Sequence, residues 1–257
     1  MSDGTGMTIA VVGGTGTLGA MVVAELAARG ATVRALSRNA SGVPAGVEHR
    51  RCDLTDGEGL TAALAGADAV IDAANSNKAA EETLVAGTGR LLEAGAAAGV
   101  GHHLAISIVG IDRVSMSYYR TKLAQEWAIE AGPLPWTILR ATQFHQLLDD
   151  GFGAVARFGV RPTGPAKLQP IEPSHVAVRL ADAALAAPAG RLPDLGGPRV
   201  QTLGELTRAW ASARGKRRLP VHVPAWGKAG KSLAAGALCV PDAPGPGEDF
   251  EEWLRHE

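Results

Sequence analysis

A nine-residue stretch near the start of the chain, Val11-Val12-Gly13-Gly14-Thr15-Gly16-Thr17-Leu18-Gly19, constrains the fold more than any other feature. It spaces Gly13, Gly16 and Gly19 as G-x-x-G-x-x-G. An apolar run, Thr8–Val12, precedes it, and an alanine-rich stretch of helical period, Leu18–Arg29, follows it. Strand, glycine turn, helix is an order that bends the backbone sharply and leaves the first N–H groups of the helix without intrahelical partners. A pyrophosphate can approach the main chain there, and the positive end of the helix dipole favours its charge. Gly13, Thr15, Gly16, Thr17, Leu18 and Gly19 are therefore the expected pyrophosphate loop.

The same texture repeats through the first half. Short apolar runs at Thr32–Leu36, Glu48–Cys52, Ala69–Ala73, His103–Ile108 and Trp136–Arg140 alternate with helical stretches at Gly59–Ala65, Glu81–Ala98 and Tyr118–Ala131. Buried parallel strands read as near-continuous apolar runs, because helices cover both faces of their sheet. Gly30, Gly66 and Gly99 stand where these helices should end. The alternation predicts an α/β chain with a Rossmann-like doubly wound parallel sheet. After Arg140 the rhythm breaks. Gly, Pro and Arg crowd residues 151–173, helices are expected at Ser174–Ala187 and Leu203–Arg214, and residues 248–257 are acidic. The predicted organisation is a dinucleotide-binding core over residues 1–150 and a small C-terminal substrate lobe over 151–257, packed on the core as a single structural unit.

Composition narrows the partners. Hydrophobic residues make up 46% and charged residues 20%, enough apolar material for a core and far from a disordered chain. A formal net charge of −1 supplies no global field for nucleic acid or an anionic membrane. The apolar run at Ile9 stops in the glycine loop and does not read as a secretory signal, and the run at 231–241 is fenced by Lys231 and Pro241. The expectation is a cytoplasmic protein with a small-molecule substrate, no nucleic-acid partner, no membrane and no metal. The sequence sets no oligomeric state. Cys52 and Cys239 form neither a disulfide framework nor a metal cluster, and neither has a base beside it.

The end of the second strand speaks to the choice of dinucleotide. NAD binders place an acid there, about 20 residues beyond the loop, for the ribose hydroxyls. This chain reads Val33-Arg34-Ala35-Leu36-Ser37-Arg38-Asn39 instead. Arg38, with Arg34 and Ser37 beside it, offers charge-assisted bonds to a 2′-phosphate, which predicts NADP(H) in preference to NAD(H). Asp53-Leu54, after the third strand, admits two readings: a bracket for the adenine, or helix N-capping chemistry around Asp53–Asp56. Ala73, Ala74 and Asn75, at the end of the fourth strand, are small enough to let the middle of a cofactor pass close to backbone. Thr142 follows the sixth strand, at the carboxyl edge where ligands of open α/β sheets lie.

These residues carry a family resemblance. The chain resembles the short-chain dehydrogenase/reductase superfamily, and within it the atypical NmrA-like branch of NAD(P)-binding proteins. The match rests on Gly13–Gly19, the Arg38 region, Asp53-Leu54, Ala73–Asn75, Ser107-Ile108-Val109-Gly110, Tyr118-Tyr119-Arg120-Thr121-Lys122 and Pro135–Thr142. It covers residues 7–150 and extends more loosely to about 215. The resemblance implies a Rossmann core and a catalytic set of Ser107, Tyr118 and Lys122. Tyr118 would exchange a proton with the substrate oxygen. Lys122, one turn on, would hold the nicotinamide ribose and lower the tyrosine pKa. Ser107 precedes Tyr118 by eleven positions, slightly closer than the superfamily's usual arrangement, and many members of this branch lack the tyrosine. Tyr119 is the alternative occupant of the pocket.

Phe144 and His145 are expected to line the substrate pocket beside Tyr119. His102-His103 lie at the amino end of the fifth strand and are expected to be structural. Trp226 is assigned to core packing in preference to a pocket wall. The basic run Arg214-Gly215-Lys216-Arg217-Arg218 reads as a solvated loop. Three functions fit: an NADPH-dependent oxidoreductase reducing a small carbonyl, quinone or enone; a non-catalytic NADP(H)-binding redox-sensing regulator; and an isomerase or cyclase on the same fold.

Overall fold

The computed structural model describes residues 5–76 and 79–257. Its strands are β1 (Thr8–Val12), β2 (Thr32–Ser37), β3 (Glu48–Arg51), β4 (Ala69–Asp72), β5 (His102–Ile108), β6 (Trp136–Ala141), β7 (Val160–Thr163), β8 (Lys167–Leu168), β9 (Gly190–Arg191), β10 (Gln201–Thr202) and β11 (Leu219–His222). Its helices are α1 (Thr17–Ala28), α2 (Leu60–Leu64), α3 (Gly87–Ala98), α4 (Ser117–Glu130), α5 (His145–Ala156), α6 (Pro173–Ala184), α7 (Leu203–Ala213), α8 (Gly227–Ala234) and α9 (Phe250–Trp253). A π-helical segment, Glu81–Ala86, runs directly into α3. Gly30, Gly66 and Gly99 take φ of 82°, 70° and 76°, as expected of glycines that end helices. Among the described residues no helix is long and apolar enough to cross a membrane.

The chain divides into two compact units that interleave in sequence. Unit one comprises Met1–Ser107, Arg120–Leu139 and Val176–Pro193; unit two comprises Ile108–Tyr119, Arg140–His175 and Asp194–Glu257. Residue 150 lies inside α5.

Unit one is built on the parallel sheet, whose order is β3-β2-β1-β4-β5-β6-β9. This is the expected Rossmann-like α/β fold: the strand order reverses on either side of β1, and that reversal opens a crevice at the carboxyl ends of β1 and β4. Ile9, Ala10, Val11, Val70 and Ile71 are fully buried, as the apolar runs required. Arg29, at the end of α1, bonds Glu25 at 2.8 Å and Asp182 of α6 at 2.6 Å, tying the two helices together. His102 and His103 are buried at the start of β5 and do structural work. His102 Nε2 lies 2.8 Å from Thr137 Oγ1 on β6. His103 is wholly buried, and among the described residues neither of its ring nitrogens has a hydrogen-bond partner.

Unit two gathers α5, α7 and α9 around Phe152, Trp210, Phe250 and Trp253. Phe152 meets Trp210 and Phe250 edge-on at 6.3 and 6.1 Å. Asp149 of α5 accepts from Trp210 Nε1 and from Arg214, the latter at 2.7 Å. Thr202 and Glu205 form a capping box at α7, and Asp249 and Glu252 form another at α9. Two small sheets complete the unit: β10 with β8, antiparallel, and β11 with β7, parallel. The core assignment of Trp226 is corrected here. This residue is the N-cap of α8, a helix with no buried residue, and its side chain is 81% exposed.

Burial holds His103 neutral and pushes its pKa from 6.5 down to about 4. The unfolded chain therefore binds the proton first, and stability falls as pH drops from about 6.5 to about 4. In urea unfolding across that window, His103→Leu is expected to remove up to roughly 3 kcal/mol of the wild-type loss. Identical acid limbs would reject a neutral, buried His103.

Candidate functional site

The glycine loop sits at the crevice of unit one. Gly13 has φ +73°, and its N–H donates to the Leu36 carbonyl at 2.9 Å. A Cβ at Gly13 would lie 3.0 Å from the Ala73 carbonyl group and the Ala74 Cα, so the loop approaches the segment after β4 as closely as main chain allows. A Cβ at Gly19 would lie 2.1 Å from the Gly13 carbonyl oxygen. Gly19 thus lets α1 begin directly beneath the loop. Gly16 is the N-cap of α1, with no side-chain capping bond and no acid in the first turn. The contrast with α7 and α9 is chemical: those helices satisfy their first N–H groups with their own side chains. Thr15 is half-buried and Thr17 exposed at the same turn, while Leu18 is buried and anchors the helix.

Along β2 and β3 the charges separate into two jobs. Arg34, which the sequence allowed beside a 2′-phosphate, is engaged within unit one. Its guanidinium bonds Glu48 at 3.1 Å and the carbonyls of Ala63 and Ala65 at 3.2 and 2.7 Å. The Ser37 hydroxyl lies 3.0 Å from His49 Nε2 and donates to the Asn39 carbonyl. Arg38 is exposed. Asp53 Oδ1 accepts from the Thr55 N–H and hydroxyl at 2.9 and 2.8 Å, a local turn that holds its carboxyl below the usual range, with Arg38 and Arg51 adding to the effect. Asp53 thus closes a local turn and caps no helix: α2 begins at Leu60, with Gly59 as its N-cap and no side-chain capping bond. Leu54 is buried under α3, where Gly87 makes room for it and Arg90 bonds its carbonyl at 2.9 Å.

Behind the crevice runs a buried polar chain. Asp72 closes β4, and its Oδ1 accepts from the Ala74 N–H at 3.1 Å. Its Oδ2 accepts from Thr88 Oγ1 at 3.1 Å and from Gln125 Nε2 at 3.0 Å. Gln125 Oε1 accepts from Lys122 Nζ at 2.6 Å, and Lys122 donates again to the Ile106 carbonyl at 2.8 Å. All four side chains are buried. Burial pushes the Lys122 pKa down to about 8 against the pull of Asp72 and Glu126. An ammonium carries three N–H donors, and these two bonds engage two of them. Ser107, next to the end of β5, is also buried, and its hydroxyl has no hydrogen-bond partner among the described residues. Sequence reasoning found Lys122 and Ser107 but missed Asp72, Thr88 and Gln125. The available signal was an acid at the end of the otherwise apolar run Ala69–Asp72.

The remaining expected residues belong to unit two. Tyr118 and Tyr119 open α4 and are half-buried, with rings 6.1 Å apart; burial raises the Tyr119 pKa. Thr142 is buried, and its hydroxyl accepts from the Gly197 N–H at 3.2 Å. Phe144 is the half-buried N-cap of α5. His145 differs from expectation. It is wholly buried, with its ring 5.7 Å from Phe250 and 5.4 Å from Trp253, and burial lowers its pKa. An imidazole enclosed by aromatic rings is a core residue, not a pocket wall. Cys52 and Cys239 are buried, and burial raises both thiols to about 11, which keeps them protonated.

The family described as NAD(P)H-binding matches residues 13–186. Over 149 residues the chain is 31% identical to the photosystem II assembly factor Ycf39 of Trieres chinensis, a match spanning 54% of this chain and about half, 47%, of that protein. Among solved structures, the NADPH-dependent quinone oxidoreductase QOR2 of Escherichia coli, complexed with NADPH, superposes with a TM-score of 0.81 at 19% identity, covering 96% of this chain and 99% of that one. The triphenylmethane reductase of Citrobacter sp. gives a TM-score of 0.71 at 20% identity, covering 97% and 95%. A nucleoside-diphosphate-sugar epimerase of Staphylococcus aureus gives 0.75 at 18%, covering 97% and 100%. At these identities the structural likeness establishes the fold.

Gln125→Leu removes the middle of the buried chain and leaves a carboxylate and an ammonium short of a partner each. It is expected to destabilise the protein by roughly 3 kcal/mol in urea unfolding. Stability equal to wild type would show that the chain holds nothing in place.

Proposed function

This chain belongs to the NAD(P)H-binding family, and from that premise we propose that it is an NADPH-dependent oxidoreductase acting on a small carbonyl, quinone or enone. The observation that carries the proposal is the crevice of unit one, where Gly13 and Gly19 bring main chain into contact and α1 begins without a side-chain cap. The residues suit a dinucleotide. The uncapped N–H groups of α1 are donors for a pyrophosphate, and Ala73, Ala74 and Asn75 line the adjoining turn. Arg38, exposed beside Asp53, is the proposed contact for a 2′-phosphate and the reason for preferring NADP(H) to NAD(H). When bound, the reduced nicotinamide supplies the hydride.

The chain's own residues would then position and protonate. Lys122 has a third N–H for a ribose hydroxyl while its other two keep it fixed to Ile106 and Gln125. The Ser107 hydroxyl, without a hydrogen-bond partner among the described residues, is the proposed donor for a substrate oxygen, and such a contact would satisfy a buried group that otherwise costs about 1–3 kcal/mol. Tyr118, one helical turn before Lys122, is the proposed acid. Thr142, Tyr119 and Phe144 are the further contacts proposed for cofactor and substrate; His145 is left out because it is enclosed.

A second reading has its own observation. Lys122 is drawn into an interior chain that runs through Gln125 to Asp72, as befits a residue that fixes structure, and a non-catalytic NADP(H)-binding regulator would need no more.

Two measurements test these readings. Titration should show NADPH binding more tightly than NADH, and Arg38→Asp should weaken NADPH roughly tenfold or more while sparing NADH; NADH binding tighter than NADPH in the wild type would reject the preference. Tyr118→Phe should lower turnover about a hundredfold or more, read by oxidation of NADPH against a panel of quinones, enones and aldehydes, with cofactor affinity retained. Full turnover in that variant would remove Tyr118 as the acid. Tight NADPH binding without oxidation across the panel would favour the regulator.

A further inference from the structure

From Leu206 to Pro241 the chain has no Asp or Glu and seven Lys or Arg, in a protein whose net charge is −1. The basic run read from the sequence as a solvated loop lies within this stretch. In unit two it folds around an open concavity of about 460 Å³, lined by Arg161 of β7, Arg208 and Ser212 of α7, and Lys216, Arg217 and Arg218 of the connection to β11. That volume falls in the range of small-ligand sites. Among the described residues no carboxylate forms an ion pair with any of the five cations, whereas the neighbouring Arg214 is neutralised by Asp149. The acid that acts on Arg208, Glu205, is held by Thr202 at 2.7 Å in its capping box.

The carbonyl end of α7 draws cations, and this accounts for basic residues just past Ala213. It does not account for Arg161 on another element, or for Arg208 in the body of the helix. Two of the cations are fixed in place: Arg218 Nε donates to the Ala156 carbonyl at 2.7 Å, and Arg161 reaches Thr207 at 3.5 Å. Five like charges around one hollow repel each other, and a compact multivalent anion relieves that repulsion. Beside the hollow, Leu219 is 73% exposed and pairs through its N–H with Gly159, next to Phe158, which is 70% exposed and lies under the Arg157 guanidinium.

We propose that this concavity is an anion site, separate from the glycine loop, that takes a compact ligand carrying two or more clustered phosphate groups. The groups can come from a soluble oligophosphate or from a phosphorylated lipid headgroup whose apolar part meets Phe158 and Leu219.

The test is calorimetric titration of the full chain with inorganic tripolyphosphate, and co-sedimentation with phosphatidylcholine vesicles with and without phosphatidylinositol bisphosphate. Each is run on the wild type and on the R208Q/K216Q/R217Q variant, whose three side chains are exposed and make no hydrogen bond among the described residues; Lys216 also lies over the Trp210 ring at 5.6 Å, so the variant's urea unfolding is compared with wild type. Saturable binding that weakens roughly tenfold or more in the variant supports the site. Binding of free tripolyphosphate assigns a soluble ligand. Binding only to the phosphoinositide vesicles, reduced by Phe158→Ser with Leu219→Ser, assigns the lipid source. Absence of saturable binding in both arms, equal binding by the variant, or competition by NADPH would overturn the proposal. So would affinity for single-stranded DNA that rises with its length and exceeds that for tripolyphosphate, since the surface would then be a nucleic-acid track.

Discussion

The buried carboxylate of Asp72 is the constraint on which the crevice depends. A charge taken from water at the end of a central strand is tolerated only when its oxygens are occupied. Here the occupants come from three places: the turn after β4 through Ala74, α3 through Thr88, and α4 through Gln125. Each bond is short-range, yet together they fix where the turn lies against Gly13 and where Lys122 lies against β5. One carboxylate thus bonds the turn that packs against Gly13 and, through Gln125, connects to Lys122. A substitution there acts on both ends of the crevice at once.

Much of this was legible in the sequence. Strands β1, β2, β4, β5 and β6 follow their apolar runs to within a residue, because parallel strands buried on both faces leave little room for polar positions; the edge strand β3 is instead the polar, largely exposed Glu48–Arg51. The glycine loop was readable because its spacing serves a steric need: Gly13 and Gly19 have no space for a Cβ. The polar chain was not readable, since Asp72, Thr88 and Gln125 sit on three elements and meet only after folding. The role of Arg34 was misread for a related reason. Its place in the middle of β2 turns it toward Glu48 and the end of α2, which a linear motif does not reveal.

The second unit shows where pattern reading fails. Helix α5 carries Gly151 and Gly153, each costing about 1 kcal/mol of helix propensity relative to alanine. Leu148 and Phe152 more than offset that by packing with Trp210 and Phe250, contacts from chain segments far away in sequence. The acidic terminal segment looks like surface, yet Phe250 is fully buried and His145 packs against it. Tertiary burial overrides local preference most where elements are short, and unit two is made of short elements.

That difference bears on function. The proposed cofactor site of unit one rests on main-chain sterics and a helix terminus. The residues proposed to meet a substrate, Tyr118, Tyr119 and Phe144, belong to unit two, which is drawn from three separated segments. Proteins of the same fold include a quinone oxidoreductase, a dye reductase and a sugar-nucleotide epimerase, so the fold itself does not choose among chemistries. What can choose is a small number of polar groups near the carboxyl ends of the strands. Ser107, whose hydroxyl has no hydrogen-bond partner among the described residues, and Lys122, with one N–H beyond its two internal bonds, are two groups of unit one with hydrogen-bonding capacity to spare. Their chemistry suits an oxygen on a substrate and an oxygen on a ribose, and in the function proposed above the proton for the former is assigned to Tyr118.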